Sequence, residues 1–451
     1  MSASGKRART TDSTVGAAGR LLSKLPGALL SLVFAWLPLR DNRALARCTV
    51  LLRRVGALAV SSPCLDAVNV RVTDFDSTDE PTQILARVAT MLPRHLTVHY
   101  KLVDMTCLQP VLGMTTLRSL VLLCRLPART AGLWRLTALT SLRVSYSLDE
   151  ELVDSIAACA TLRRLHFGCR HSWTKFAPFT ALTRLESITL ENMSDAAANM
   201  SGALFRLPAV TELGLLQLLT DRRDGLATLL PNIPAAWGAQ LRRLVLHGPF
   251  AFSPGYGCVR DLGSSLTSLD VTYTGTGLPQ ILIGYMRSLE EVTLRYRADH
   301  LGASSAWNSP GDLARFELMR RLRSLTLERA HVADLARFGN LPACFAELRL
   351  VDCENLVSLD GLAPHVQLHL LDVLRCARLG SVRALASAPH LTSLSLLECP
   401  ELCAAGQQGE LAARVNSLAH LRALRLDFPH DSPLLDAARR RLAFGGGSTI
   451  Y

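Results

Sequence analysis

One pattern constrains this chain more than any other: the sextet L-x-x-L-x-L, with Val, Ile or Phe allowed at the leucines. Its first residues are Leu117, Leu139, Leu162, Leu185, Val210, Leu241, Leu266, Leu289, Leu322, Phe345, Leu368, Leu391 and Leu421. Most intervals are 22 to 25 residues, and the longer steps before Leu241, Leu322 and Leu421 read as insertions. Two weaker sextets lie upstream, LDAVNV from Leu65 and PRHLTV from Pro93, which brings the count to about fifteen units. Thirteen matches in register do not arise from composition, even in a chain that is 49% hydrophobic.

The spacing has a physical reading. In an extended segment side chains alternate faces, so the fourth and sixth residues of a sextet point together into a core, and the third and fifth point away from it. One such unit cannot bury its apolar face alone; stacked neighbours can. The return halves, such as LWRLTALTSL, FTALTRLESI and LASAPHLTSL, place apolar residues three or four apart. That suits a short helix or irregular turn packed behind each strand. A bulkier outer layer makes such a stack curve, with a parallel sheet on its inner wall. At 451 residues the chain is long for one ordinary domain, and aromatics make up only 6% of it. Both facts favour a uniform stacked core over a compact one filled with rings.

Over roughly residues 65 to 430 the chain resembles the leucine-rich repeat family, whose period is about 20 to 29 residues with the core L-x-x-L-x-L-x-x-N/C-x-L. Cys353, Cys376 and Cys399, in LVDCENL, VLRCARL and LLECPEL, sit three places after the last apolar strand residue and match the cysteine variety of the repeat. A small apolar side chain that donates weakly to a backbone carbonyl suits the turn there. The expected fold class is α/β: a curved leucine-rich-repeat solenoid, or horseshoe, with a parallel sheet on the concave face, preceded by a short helical module. The expected organisation is a basic, disordered tail over 1–20, the helical module over 21–60, the solenoid over 61–430, and a C-terminal cap and tail over 431–451.

The helical module is LPGALLSLVFAWLPLRDNRALARCTVLLRR, Leu25 to Arg54. Its apolar run is too short for an ordinary membrane span, its lead is long for a signal peptide, and no small-x-small cleavage site follows. It resembles an F-box, the module that docks on the Skp-type adaptor of cullin ubiquitin ligases. The matching residues are Leu25, Pro26, Leu29, Leu30, Val33, Phe34, Leu37 and Pro38, with Asp41, Leu45 and Arg53 beyond them. The family's tryptophan near Leu52 is missing, and its cysteine is displaced to Cys48. The resemblance implies that Leu29, Val33, Phe34 and Leu37 face the adaptor. The alternative is that this helix pair only covers the first repeat's apolar edge.

Outward positions nominate a binding surface. Arg143, Arg163, Arg164 and His166 form a basic cluster suited to an acidic peptide or phosphate-bearing partner, or else a solvated face. Val351, Leu370, Leu374 and Leu397 place apolar side chains on neighbouring strands, either as a protein contact or beneath the C-terminal segment. The insertions around Trp237 and Trp307 hint at binding edges on a rim.

Chemistry is absent from the pattern. The chain has no G-x-x-x-x-G-K-S/T, H-E-x-x-H or G-x-S-x-G, and no zinc-spaced Cys/His set accompanies Cys399 and Cys403. We therefore expect no enzyme, cofactor or metal. The net charge of +11 comes from scattered arginines, so nucleic acid is not the expected partner. Twelve cysteines without C-x-x-C pairs suit free thiols in a reducing cytoplasm, and KRAR at Lys6 to Arg9 admits the nucleus. The leading expectation is the substrate-binding subunit of a cullin-type ubiquitin ligase, partnered by adaptor, cullin and a protein target on the concave face. The rival is a repeat scaffold of a cytoskeletal or other large assembly. A secreted recognition protein is a third option, and it demands a cleaved N-terminus and paired cysteines.

Overall fold

The computed structural model describes residues 67–71, 85–86, 88–89, 93–99, 108–123, 132–145, 150–168, 177–191, 204–216, 235–250, 264–273, 286–296, 316, 318–338, 341–362, 367–403, 405–427 and 449–450. The chain divides into two compact units, Met1–Glu191 with Arg206–Ala209, and Asn192–Phe205 with Val210–Tyr451.

The first unit carries strands β1 (Ala67–Arg71), β2 (His95–His99), β3 (Ser119–Leu122), β4 (Ser141–Val144), β5 (Arg164–Gly168) and β6 (Ser187–Glu191). The second carries β7 (Glu212–Leu216), β8 (Arg243–Phe250), β9 (Ser268–Tyr273), β10 (Glu291–Tyr296), β11 (Ser324–Glu328), β12 (Glu347–Val351), β13 (Leu370–Leu374), β14 (Ser393–Leu397) and β15 (Ala423–Leu426). A short β16 (Thr449–Ile450) pairs with β15. Within each unit successive strands pair in parallel and in order. From β1 to β15 each strand begins on the third residue of a sextet, the two weak upstream matches included. The fold is a leucine-rich-repeat solenoid.

Its core is the one the spacing dictates. From Leu117 onward, the first, fourth and sixth residues of each sextet are buried, none above 7% exposed. The register is fixed by a repeated hydrogen-bond device at the start of each strand. There the carbonyl of a sextet's second residue accepts from two successive N–H groups of the next unit, as Thr211 O does from Arg242 and Arg243 at 2.7 and 3.0 Å. Glu290 O receives Arg323 and Ser324 in the same way at 2.8 and 3.0 Å, so the long insertion before Leu322 leaves the stacking undisturbed.

Each strand leaves the sheet through a tight turn. In four consecutive repeats the eighth residue adopts a left-handed backbone: Arg329, Asp352, Arg375 and Glu398, with φ between 53° and 57°. This reversal directs the next side chain inward, and Cys353, Cys376 and Cys399 are buried there. Cys353 Sγ lies 3.7 Å from Leu327 O and 3.6 Å from Val351 O, and Cys376 Sγ makes the equivalent approach to Leu350 O and Leu374 O at 3.8 and 3.6 Å. The weak donation expected of the cysteine is thus made to the strand below as well as to its own.

Behind the strands run 3-10 turns at Leu133–Arg135, Ala177–Ala181, Ala336–Phe338 and Arg383–Ser387, and helices α1 (Gln109–Leu112), α2 (Glu150–Ala157), α3 (Ala235–Gln240), α4 (Pro400–Cys403) and α5 (Ala405–Ser417). Ser155 of α2 accepts from the Gly132 and Leu133 N–H groups at 3.0 and 2.8 Å, so a buried hydroxyl ties one return segment to the next. Trp237 of α3 is 3% exposed and meets the Phe205 ring edge-on at 5.1 Å. It is a core side chain, and residues 217–234 of its insertion lie outside the described residues. Trp307 lies outside the described residues.

Candidate functional site

From Leu117 onward the third, fifth and seventh residues of the repeats point away from the core, and most are half-buried or exposed. Gly214 and Ser395 are the buried exceptions in the fifth-residue column. Parallel pairing sets equivalent side chains side by side, about 4.8 Å apart from strand to strand. Three local arrangements stand out on this face.

On β4 to β6 the nominated basic cluster divides. Arg143 and His166 converge on one carboxylate: His166 Nε2 is 2.9 Å from Glu191 Oε2, and Arg143 Nη2 is 3.6 Å from the same atom. Burial lowers the pKa of His166; the hydrogen bond to Glu191 opposes this and the charge of Arg143 adds to it, leaving the imidazole below its ordinary value. Arg163, the second residue of its sextet, pairs instead with exposed Glu186 at 2.6 Å. Arg164, on the third position, is exposed. The cluster is therefore an arginine and an imidazole held toward its neutral form on one shared carboxylate, beside Arg163 paired with Glu186 and an exposed Arg164.

The second arrangement escaped the sequence reading. Across β8 to β11, His247, Asp270, Arg295 and Glu328 form a continuous half-buried network. Arg295 bonds Asp270 through Nη1 and Glu328 through Nε at 3.0 Å. The same Nη1 lies 2.7 Å from His247 Nε2, which lies 2.9 Å from Asp270 Oδ1. Nε2 serves as acceptor from Arg295 or, in the tautomer that places the proton on it, as donor to Asp270, so the tautomer of the imidazole chooses the pairing. Burial alone would raise the Asp270 carboxyl, but the His247 hydrogen bond and the Arg295 charge outweigh it and hold the pKa below the usual carboxylate value. The signal was present in the seventh-residue column, where His247, Arg295 and Glu328 all stand.

The third lies on β11 to β15. The seventh-residue column reads Glu328, Val351, Leu374, Leu397, Asp427: three aliphatic side chains in register, with a carboxylate at each end. Leu370 adds a fourth from the third-residue column, and all four are half-buried. The fifth-residue column beside them carries Arg349, Asp372 and Arg425, and Glu347 stands in the third. On the other flank the left-handed residues form a charge ladder. Arg375 Nε meets Asp352 Oδ1 at 2.5 Å, and Arg329 Nε lies 3.8 Å from Asp352 Oδ2. The hydrogen bond from Arg375, strengthened by the charges of both arginines, holds the Asp352 carboxyl below its usual value.

Among the described residues no group of His, Cys, Asp and Glu is arranged to hold a metal, and no helix is long and apolar enough to cross a membrane. Cys159, Cys344, Cys353, Cys376 and Cys399 are free thiols. Burial pushes the Cys159 thiol up to about 11, and the hydrogen bond to Cys353 together with burial pushes Cys376 far above its ordinary value. Neither forms a thiolate near neutral pH, and both serve as apolar filling. The adaptor-facing set, Leu25, Pro26, Leu29, Leu30, Val33, Phe34, Leu37 and Pro38, lies outside the described residues, as do the basic tail and most of the C-terminal segment.

No protein-family model matches this chain. No curated protein matches it either. Among solved structures it is similar to an internalin (inlF) of Listeria monocytogenes, at 18% identity over 71% of this chain and 83% of that one, with a TM-score of 0.41. It is similar also to an LRR protein of Leptospira interrogans, at 12% identity over 83% of this chain and 91% of that one, with a TM-score of 0.39. A third likeness is to TLR13, solved in complex with ssRNA13, at 15% identity over 83% of this chain and 55% of that one, with a TM-score of 0.34. The chain thus spans about half the length of that last protein. The repeat architecture itself is read from the strand register and core described above.

Proposed function

We propose that this is a non-enzymatic recognition protein that holds a protein partner on the outward face of its strands. The observation that carries the reading is the half-exposed state of Val351, Leu370, Leu374 and Leu397 on adjacent strands of a sheet whose opposite face is a closed core. Contiguous apolar side chains at a protein surface mark interaction sites more often than single scattered ones do. Arg143 and Arg164 supply a second, charged locus in the first unit.

Within this reading we assign the chain to the substrate-binding position of a cullin-type ubiquitin ligase. That finer assignment is supported by the F-box resemblance of Leu25 to Arg54 and by its place ahead of the repeats. The protein would then act by proximity, raising the effective concentration of its target near the ligase without performing bond chemistry. The test is co-purification of the Skp-type adaptor with the intact chain and with a Leu30→Asp, Phe34→Asp double variant. Recovery of adaptor with the first and at least tenfold less with the second is expected. Equal recovery, or none from the intact chain, rejects the ligase assignment and leaves the repeats as a recognition scaffold.

A further inference from the structure

The apolar strip on β12 to β14 has a step, a length and a charged frame, and together they restrict what it fits. The step is the strand separation, about 4.8 Å, so Val351, Leu374 and Leu397 span about 9.6 Å in two equal steps. An α-helix laid across the strands offers side chains at i, i+3 or i+4, and i+7, at rises of about 4.5 to 6 Å and then 10.5 Å. An extended peptide offers one face every second residue, about 6.6 Å per step, and is out of phase by the third rung. The step therefore matches a helix and not a strand.

The frame supplies the sign. Across the outward and left-handed positions of β11 to β15, the carboxylates are Glu328, Glu347, Asp352, Asp372, Glu398 and Asp427, and only Arg329, Arg349, Arg375 and Arg425 oppose them. This face is net acidic on a chain whose overall charge is +11. Two of the carboxylates, Glu328 and Asp427, stand at the ends of the strip itself, Glu328 also bonded to Arg295 of β10. The Arg329, Asp352 and Arg375 ladder is satisfied internally and forms a fixed rim along one side.

We propose that this strip seats an amphipathic helix of a protein partner, with aliphatic residues at i, i+3 or i+4 and i+7 over Val351, Leu374 and Leu397, and basic residues beyond each end. The assignment rests on the outward strand face being the recognition surface. It adds the conformation and charge of what is recognised.

The experiment is a selection from displayed random peptides long enough for four helical turns, about 15 residues, against the intact chain. Enriched peptides are then made individually and measured by fluorescence anisotropy at low and high salt. The expected binders are net basic, carry the helical aliphatic spacing, weaken with salt, and lose at least tenfold in affinity against both Leu374→Glu and Leu374→Ser. Circular dichroism of each variant checks that the repeats remain folded. Face-dependent binders that are extended or net acidic would overturn the helix and leave the face intact as a recognition surface. No enrichment, or binders indifferent to both Leu374 variants, would overturn the proposal outright.

Discussion

At the scale of single residues, the repeat is enforced by places where only one side chain or backbone shape fits. Gly361 is the clearest. Its φ is +91°, and a Cβ there would lie 2.0 Å from the Ala336 N of the preceding repeat. Neither the conformation nor the neighbouring backbone can yield cheaply, so Gly361→Ala should destabilise the second unit by about 3 kcal/mol or more in urea unfolding. An unchanged midpoint would show that the two return segments are not in contact at that point. The left-handed residues show the reverse economy. Arg329, Asp352, Arg375 and Glu398 carry side chains where glycine is preferred, at roughly 1 kcal/mol each, and three of them use that geometry to link charges across strands. No glycine marked these positions, so the sequence offered no sign of them. The buried cysteines that follow were legible because a small apolar letter recurs at a fixed place.

At the scale of strands and turns, the sextet spacing located each strand start, because side-chain alternation and the need to share a core leave one solution. What the spacing did not reveal was which outward residues meet. Arg143, His166 and Glu191 stand on three different strands, and the four members of the His247 network are separated by intervals of 23 to 33 residues. Those pairings follow only once the insertions are counted out of the register. One consequence is a pH dependence in the first unit. His166 titrates below its ordinary value when folded, so between the unfolded value, about 6.5, and the lower folded value the unfolded chain binds the extra proton. Stability from this residue is complete above that window and is lost as pH falls through it. Urea unfolding of wild type and His166→Gln should show the wild type losing more stability than the variant between pH 7.5 and 5.5. Parallel losses would show that His166 is not held neutral by its surroundings.

At the scale of the whole molecule, the account joins a closed core on one side of the strands to an open, chemically varied face on the other. The core was legible from the leucines alone, and so was the outward direction of Arg143, Arg164, Val351, Leu370, Leu374 and Leu397. The division of labour among the outward residues needed the fold. Some of their charges are already spent on one another, while the aliphatic strip of Val351, Leu370, Leu374 and Leu397 is half-buried on the outward face. The most direct test is site-specific photo-crosslinking in cells, with a photoreactive residue placed at Leu374, Ser324 or Arg143 on the strand face, or at Trp134 or Val357, both well exposed in the return segments. The account predicts covalent protein adducts from the strand-face positions and little from the return positions. Adducts from Trp134 and Val357, with none from the strand face, would contradict it.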